Sequence, residues 1–366
     1  MILLIYFLFI VMSVSFPKSK LLTVSIFLFI WILWGWNTWN GDFDAYKLIY
    51  DSSINPSLSN VVTEAGFNYF NKIFNLLGFS FEQYMQIISF LVLSIYFIFI
   101  IKYCPYPSIC AIIIVIIFVM EYVYTRTYIA HSLLLFAFLL SFCKIKYHKL
   151  LFVIIILLAS LIHRTAFLFL GFYFILDRNS VLHIPRFLFA VFSAVILSIF
   201  LFGNFVIPLL GTDFMNKFSA YETSGGFTMI SYAHILIVFL TVYVIKLLID
   251  SEKIDVPTRR ILIYVANFNL LSLFYLALYY HVPYFGRFVR LLITIDVIFI
   301  LYSIRFFIQT DNTLNALKSK FVLFAIMVAV FSMLFKSTLS LTYYPLLKKN
   351  SVFGEEYYVP EFETKE

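Results

Sequence analysis

Arg126, Arg164, Arg287 and Arg290 stand at the ends or breaks of long apolar runs, near His131, His163 and His281. The arginine fork is suited to bidentate contact with phosphate oxygens. Imidazole can shuttle a proton near neutral pH. Ionisable groups inside apolar stretches are costly to hold and mark sites by default. The loop charges set out below place all four arginines on the outer face, against the usual retention of cations inside. Arginines kept there predict an anionic substrate, and a diphosphate-linked lipid fits best.

Three interruptions carry these residues. Glu121, Arg126 and His131 break a hydrophobic stretch from about 108 to 143. One reading is a short outer hairpin whose charges snorkel to water, the other a functional Arg126. His163-Arg164-Thr165 separates two short apolar runs. A helix starting near Thr165 would aim its positive end at that break and favour an anion. His163 is then a candidate proton acceptor, with a helix-capping histidine as the alternative. His281, Pro283, Gly286, Arg287 and Arg290 fall within ten residues, and the two arginines, three apart, share a helix face. Asp296 lies about two turns deeper in that helix, either paired with a cation or protonated.

The carboxylates concentrate in residues 37–82. Asp42 and Asp44 could bind a divalent cation, supply a base, or cap a short helix in a solvated turn. Ser59 or Asn60 could start a helix running to about Leu77 and stopped by Gly78. On it, Phe67, Phe70, Phe74 and Leu77 form an apolar stripe. Glu64, Asn68, Asn71 and Asn75 form the opposite one. Such a helix lies in the interface, and its amides could meet sugar hydroxyls or simply water. Trp31, Trp34, Trp36 and Trp39 read mainly as an interfacial belt.

The elements that must hold these groups are membrane helices. The 366 residues are 63% apolar and 12% charged, with mean hydropathy +0.98, which excludes a water-soluble domain. Apolar runs predict about twelve transmembrane or half-membrane helices, in one integral membrane domain spanning residues 1–366. They lie near 2–16, 21–36, 83–101, 107–122, 127–143, 150–162, 165–176, 186–203, 232–249, 261–280, 288–308 and 321–341. The first run lacks a basic start and a small-residue cleavage site, so it reads as a retained helix. Lys18 and Lys20, then Lys144, Lys146 and Lys149, then Lys253, Arg259 and Arg260, then Lys318 and Lys320 fall in alternate loops. Those loops are assigned to the cytoplasm. The loops 37–82 and 204–231 and the polar tail 342–366 then face outward, to the periplasm.

The net charge of +7 belongs to the cytoplasmic lipid surface and not to nucleic acid. Cys104, Cys110 and Cys143 lie at or near cytoplasmic helix ends, so no disulfide is expected. No zinc pattern, GxSxG, Walker A or GxGxxG occurs.

Several segments resemble the EpsG family, which includes Wzy-like O-antigen and capsule polymerases. They are Asp44-Ala45-Tyr46 with Tyr50, Glu64-Ala65-Gly66-Phe67-Asn68-Tyr69, and Arg126 with Ile129-Ala130. Ala159, Ile162, His163 and Ala166, and then Arg287 with Arg290, complete the set. The family often has glutamine after the second-motif arginine, where this chain has Thr127. The resemblance implies an all-α, GT-C-like glycosyltransferase of the bacterial inner membrane with no metal or other cofactor. Its substrate would be an oligosaccharide on undecaprenyl diphosphate, moved onto another lipid-linked repeat unit, with a chain-length regulator as a plausible partner. Arg126, Arg164, Arg287 and Arg290 would then hold the diphosphate. His163, Asp44 or Glu64 would take the acceptor proton. Asp42, Tyr46, Asn68 and His281 would meet sugar. The competing readings are a glycosyltransferase using a prenyl-monophosphate sugar, a flippase or exporter of lipid-linked glycan, and, more remotely, an acyltransferase built on His163.

Overall fold

In a computed structural model, the described residues are 2–55, 63–117, 121–143, 145–201, 229–250, 254–279, 288–309, 314–315, 317–318, 321 and 344–355. The chain divides into two compact units. One comprises Met1–Tyr173 and Leu334–Glu366, the other Phe174–Met333.

The first unit is built from α1 (Ile2–Ser15), α2 (Lys20–Gly35), α3 (Phe43–Ser52), α4 (Ala65–Leu76), α5 (Phe81–Tyr103), α6 (Pro107–Ile117), α7 (Thr125–Phe142) and α8 (His148–Ile162). A 3-10 helix, Arg164–Ile175, follows α8 directly. Helices α2, α5, α7 and α8 pack in series, α2 on α5, α5 on α7, and α7 on α8. The α2–α5 contact is close because Gly35 has no side chain, and a Cβ there would lie 3.1 Å from Gln86 Cα. Its neighbour Trp31 donates its indole N–H to Gln86 O at 2.8 Å.

The second unit contains α9 (Ile184–Leu201), α10 (Met229–Ile249), α11 (Val256–Ser272), a 3-10 turn at Leu273–Tyr275, α12 (Leu276–Tyr279) and α13 (Phe288–Gln309). Helices α10, α11 and α13 pack mutually. Asp255 caps α11 through the Thr258 N–H, with a proline in the first turn, a start signal readable from sequence.

The architecture is all-α apart from a small hairpin. Among the described residues, Phe81–Tyr103, Thr125–Phe142, Ser231–Ile249 and Val256–Leu278 are long and apolar enough to cross a membrane. Shorter apolar helices accompany them at Leu4–Ser15, Lys20–Gly35, His148–Ile162, Arg164–Ile175 and Ile184–Ser198. This is a membrane protein. The segment expected at 165–176 is a 3-10 helix and not an α-helix. The one expected at 261–280 starts earlier, at Val256, and passes through a 3-10 turn. The expected span 321–341, except Phe321, and most of the loop 204–231 lie outside the described residues.

Two local expectations change. The helix of the 37–82 loop starts after Glu64, which is its N-terminal cap residue, and not near residue 60. Its stop is as expected, since Gly78 takes φ +82 and closes the helix in the left-handed conformation that favours glycine. Its stripes also differ from the simple pattern. Asn71 is buried and Leu77 exposed, because α4 lies between α3 and α8 and so presents a polar position inward. Of the four tryptophans, Trp34 packs internally, while Trp31, Trp36 and Trp39 stay half-buried. Trp34 is buried, its ring centroid 6.4 Å from that of Tyr122 and 6.1 Å from that of Tyr128.

The described part of the tail is α14 (Tyr344–Lys348) and a β1–β2 hairpin, Lys349–Asn350 with Gly354–Glu355. Asn350 donates its amide to Ile32 O at 3.1 Å. Asn37 donates to Lys349 O at 2.8 Å and Pro345 O at 3.1 Å. These side-chain amides tie the tail to the end of α2.

Candidate functional site

Four polar residues from separate segments of the first unit meet where α4, α7 and α8 begin or end. Glu64 precedes α4, Arg126 is the second residue of α7, His163 follows α8, and Tyr46 lies on α3. The position of each has a local cause. Helix α8 stops at Ile162 because His163 adopts an extended conformation, φ −145 and ψ 108. Its N–H still bonds Ala159 O at 2.9 Å. The 3-10 helix then restarts with Ala166 N–H bonding His163 O at 2.9 Å, so the ring stands at a break between two apolar helices.

Glu64 reaches this break because α4 approaches α8 with almost no clearance. A Cβ on Gly66 would lie 2.5 Å from Leu161 Cβ and 2.7 Å from the Leu161 carbonyl oxygen. Backbone cannot yield as a flexible side chain can, so glycine is required there.

The Glu64 carboxylate bridges two partners. Oε2 accepts a 2.6 Å hydrogen bond from Arg126 Nη1. Oε1 lies 3.7 Å from His163 Nδ1, which is ion-pair range but longer than a hydrogen bond. Glu64 therefore makes no side-chain cap to α4, although that helix end also favours its negative charge. Arg126 sits in the first turn of α7, where a helix disfavours a cation. Glu64 and the face of Tyr46, whose ring centroid is 6.0 Å from the guanidinium carbon, offset that cost. The side chain stays 31% exposed, and an arginine carries five N–H donors, so capacity remains for an anion.

Burial opposes ionisation of Glu64, but the neighbouring His163 and Arg126 outweigh it and lower its pKa from 4.5 to about 2. Burial lowers the pKa of His163, with Arg126 acting in the same direction and Glu64 opposing. The resting arrangement is an ionised carboxylate beside a neutral imidazole. Nδ1 faces the carboxylate, which favours the tautomer with the proton on Nδ1 and leaves Nε2 as the basic atom. Imidazole held this way by a carboxylate is suited to general-base work.

Beneath Arg126, Glu121 and His131 are both buried, with Oε2 and Nδ1 3.5 Å apart. A cavity with room for about one water lies beside Glu121, lined also by Trp34, Tyr96 and Tyr128. Glu121 was legible as an ionisable interruption, but its spacing gave no indication of a partner ten residues on.

The other candidates fall as follows. Tyr46 is buried against Arg126. Asn68 accepts a hydrogen bond from the Thr63 hydroxyl. Asp42 holds the N-terminal cap position of α3 without a side-chain cap bond. Asp44 is exposed in the first turn of α3, apart from the cluster. Arg164 is exposed at the start of the 3-10 helix, with no ion pair among the described residues. Arg290 is on α13 of the second unit. His281 and Arg287 lie outside the described residues. Among the described residues, no group of three or more His, Cys, Asp or Glu side chains could hold a metal ion.

The EpsG family model matches residues 20–347, a range that contains the whole cluster. No curated protein and no solved structure matches the chain.

Proposed function

Since the chain belongs to the EpsG family over residues 20–347, we propose that it is a membrane glycosyltransferase that polymerises lipid-linked polysaccharide repeat units. The donor is a glycan on undecaprenyl diphosphate, and the acceptor is the non-reducing sugar of another lipid-linked unit. The cluster faces the periplasm across the bacterial inner membrane. The observation that supports this reading is the Glu64 carboxylate bridging Arg126 and His163.

In the proposed reaction the acceptor hydroxyl oxygen bonds to the donor's anomeric carbon as the bond from that carbon to the diphosphate oxygen breaks. The diphosphate leaves with the electron pair. His163 Nε2 takes the hydroxyl proton, while Glu64 holds Nδ1 and stabilises the imidazolium that forms. Glu64 itself is a poor base, being held at a pKa of about 2. Arg126 neutralises charge on the leaving group in a partly dry setting, where such contacts are strongest. Arg164, Arg287 and Arg290 are proposed as further diphosphate ligands on their sequence context. Asp42, Tyr46, Asn68 and His281 are proposed to contact sugar.

The test supplies purified protein with repeat units on prenyl diphosphate, and in parallel with a prenyl-monophosphate sugar. Polymer from the diphosphate substrate, undiminished by excess EDTA, is the expected result. Activity only with the monophosphate, or only with added Mg²⁺ or Mn²⁺, would overturn the proposal and return Asp42 and Asp44 as metal ligands.

A further inference from the structure

The segment that follows His163 is built differently from its neighbours. Arg164–Ile175 is a 3-10 helix of 12 residues, where runs longer than about four are uncommon. A 3-10 helix has three residues per turn, so side chains three apart stand in line, without the spiral of an α-helix. Burial follows that period. Ala166, Phe169, Phe172 and Ile175 form one buried column, and the Phe172 ring lies 6.2 Å from that of Phe138 on α7. The other two columns face outward. In one, Arg164, Phe167 and Tyr173 are exposed and Leu170 is half-buried. In the other, Leu168 is exposed and Gly171 half-buried.

The outward face is thus a straight apolar strip with a cation at its head. At about 2.0 Å per residue it runs about 18 Å from Arg164 to Tyr173. Its head directly follows His163, which lies 3.7 Å from Glu64, so the strip is continuous with the candidate site. Its far end meets Lys149 of α8, whose Nζ lies 5.8 Å from the centre of the Tyr173 ring. About 14 Å from Arg164 the strip has a notch. A Cβ on Gly171 would meet no neighbouring heavy atom within 4 Å, so the space there is open. Bulk lipid wets any apolar face of a membrane protein. Here the head cation complements a phosphate group, and the narrow straight strip behind it matches a single long apolar chain. Resting on the glycosyltransferase reading above, we propose that this face of the 3-10 helix seats the polyprenyl chain of the donor. Arg164 stands at the diphosphate, Phe167 and Leu168 flank the first isoprene units, and the notch at Gly171 receives a later one.

The experiment uses purified full-length protein in nanodiscs and an undecaprenyl diphosphate probe with a diazirine in the middle of its chain. Illumination should label residues between Arg164 and Tyr173. Unlabelled undecaprenyl diphosphate should compete, and excess phosphatidylglycerol should not. In kinetics, Gly171→Leu fills the notch, and Phe167→Ala serves if that variant does not fold. Either should raise KM for an undecaprenyl-linked repeat unit about tenfold, the loss that follows from giving up one or two buried methylene contacts. With a geranyl-linked unit, whose chain is too short to reach Gly171, Gly171→Leu should change KM little. Labelling confined to other segments would overturn the proposal. So would labelling that phosphatidylglycerol displaces equally, which would mark ordinary lipid contact, or a Gly171→Leu effect independent of chain length. Labelling needs no turnover, so a parent protein that polymerises neither substrate would sink the glycosyltransferase reading as a separate result.

Discussion

Each unit holds a carboxylate withdrawn from water, Glu64 half-buried and Asp296 fully buried, and neutralises it differently. Glu64 lies at helix ends and is met by a guanidinium and an imidazole. Asp296 lies within a helix and is met by an amide and, nearby, a hydroxyl. Helix ends bring backbone dipoles and access to water, so charged partners survive there and can respond to a substrate. A helix interior among apolar neighbours offers only neutral dipoles. The first setting suits chemistry and the second suits holding. The following experiments break or sharpen that contrast.

The largest effect is expected at Arg126. Arg126→Ala removes the guanidinium hydrogen-bonded to Glu64 and should abolish long glycan while the protein still inserts, as seen by chain-length profiles and membrane fractionation. Lysine should rescue only in part, for want of the planar fork. Normal chain lengths in the Ala variant would remove Arg126 from the chemistry.

His163→Gln comes next. It retains hydrogen bonding but cannot take up the proton, and losing a general base costs about 10²–10⁴-fold in rate. Rates close to the parent with lipid-linked repeat units would remove His163 from the chemistry and make Asp44 the better base. Gly66→Ala should follow. The added methyl meets Leu161 backbone as well as its side chain, so α4 must move off α8. We expect a lower unfolding midpoint together with lower activity, and trimming Leu161 should restore neither fully. Arg164→Ala should weaken polymerisation less than Arg126→Ala, since Arg164 is exposed and not tied to Glu64.

The smallest expected effect is a shift in pH dependence. The pKa of His163 is lowered by burial, so its neutral form persists below the usual imidazole range of about 6.5. The acid limb of activity should therefore lie below that value. Glu64 raises the pKa of His163 and Arg126 lowers it. Glu64→Gln should then move the limb of any residual activity to still lower pH, and a move upward would contradict the arrangement. Glu64 also contributes stability in the parent. That contribution is fully present above its unfolded pKa of 4.5 and is lost as pH falls towards the folded value of about 2. Acid unfolding of Glu64→Gln should be correspondingly flatter in that window.

Much of the site was legible as single residues. Arg126 and His163 stood out because ionisable groups beside apolar runs are conspicuous, Glu64 as part of a polar helix stripe, and Tyr46 through the family resemblance. Their meeting was not legible. Glu64 and Arg126 are 62 residues apart, and periodicity tells which face a residue occupies without naming what lies opposite. The same limit explains Asn71, assigned to a wet face and found buried, and Trp34, assigned to an interfacial belt and found packed on Tyr122 and Tyr128. His163 was legible as a candidate proton acceptor beside a helix end, but the neutral state of its ring has another origin. In the structure it comes first from burial, and then from Arg126. Helix bounds were read well where caps carry their own chemistry, as at Gly78, and poorly where a 3-10 helix continues an α-helix without any change in hydropathy.

The tether between Asn37, Asn350 and the end of α2 has a consequence for biogenesis. Residues 344–355 leave the ribosome after every helix of the second unit, yet they complete the first. The partners of Ile32, Leu33 and Asn37 at the end of α2 must wait through the synthesis of more than 300 intervening residues. Insertion and maturation of the first unit are thus separate events. A chain halted before residue 344 would carry Glu64, Arg126 and His163 in the membrane while α2 remained unfastened.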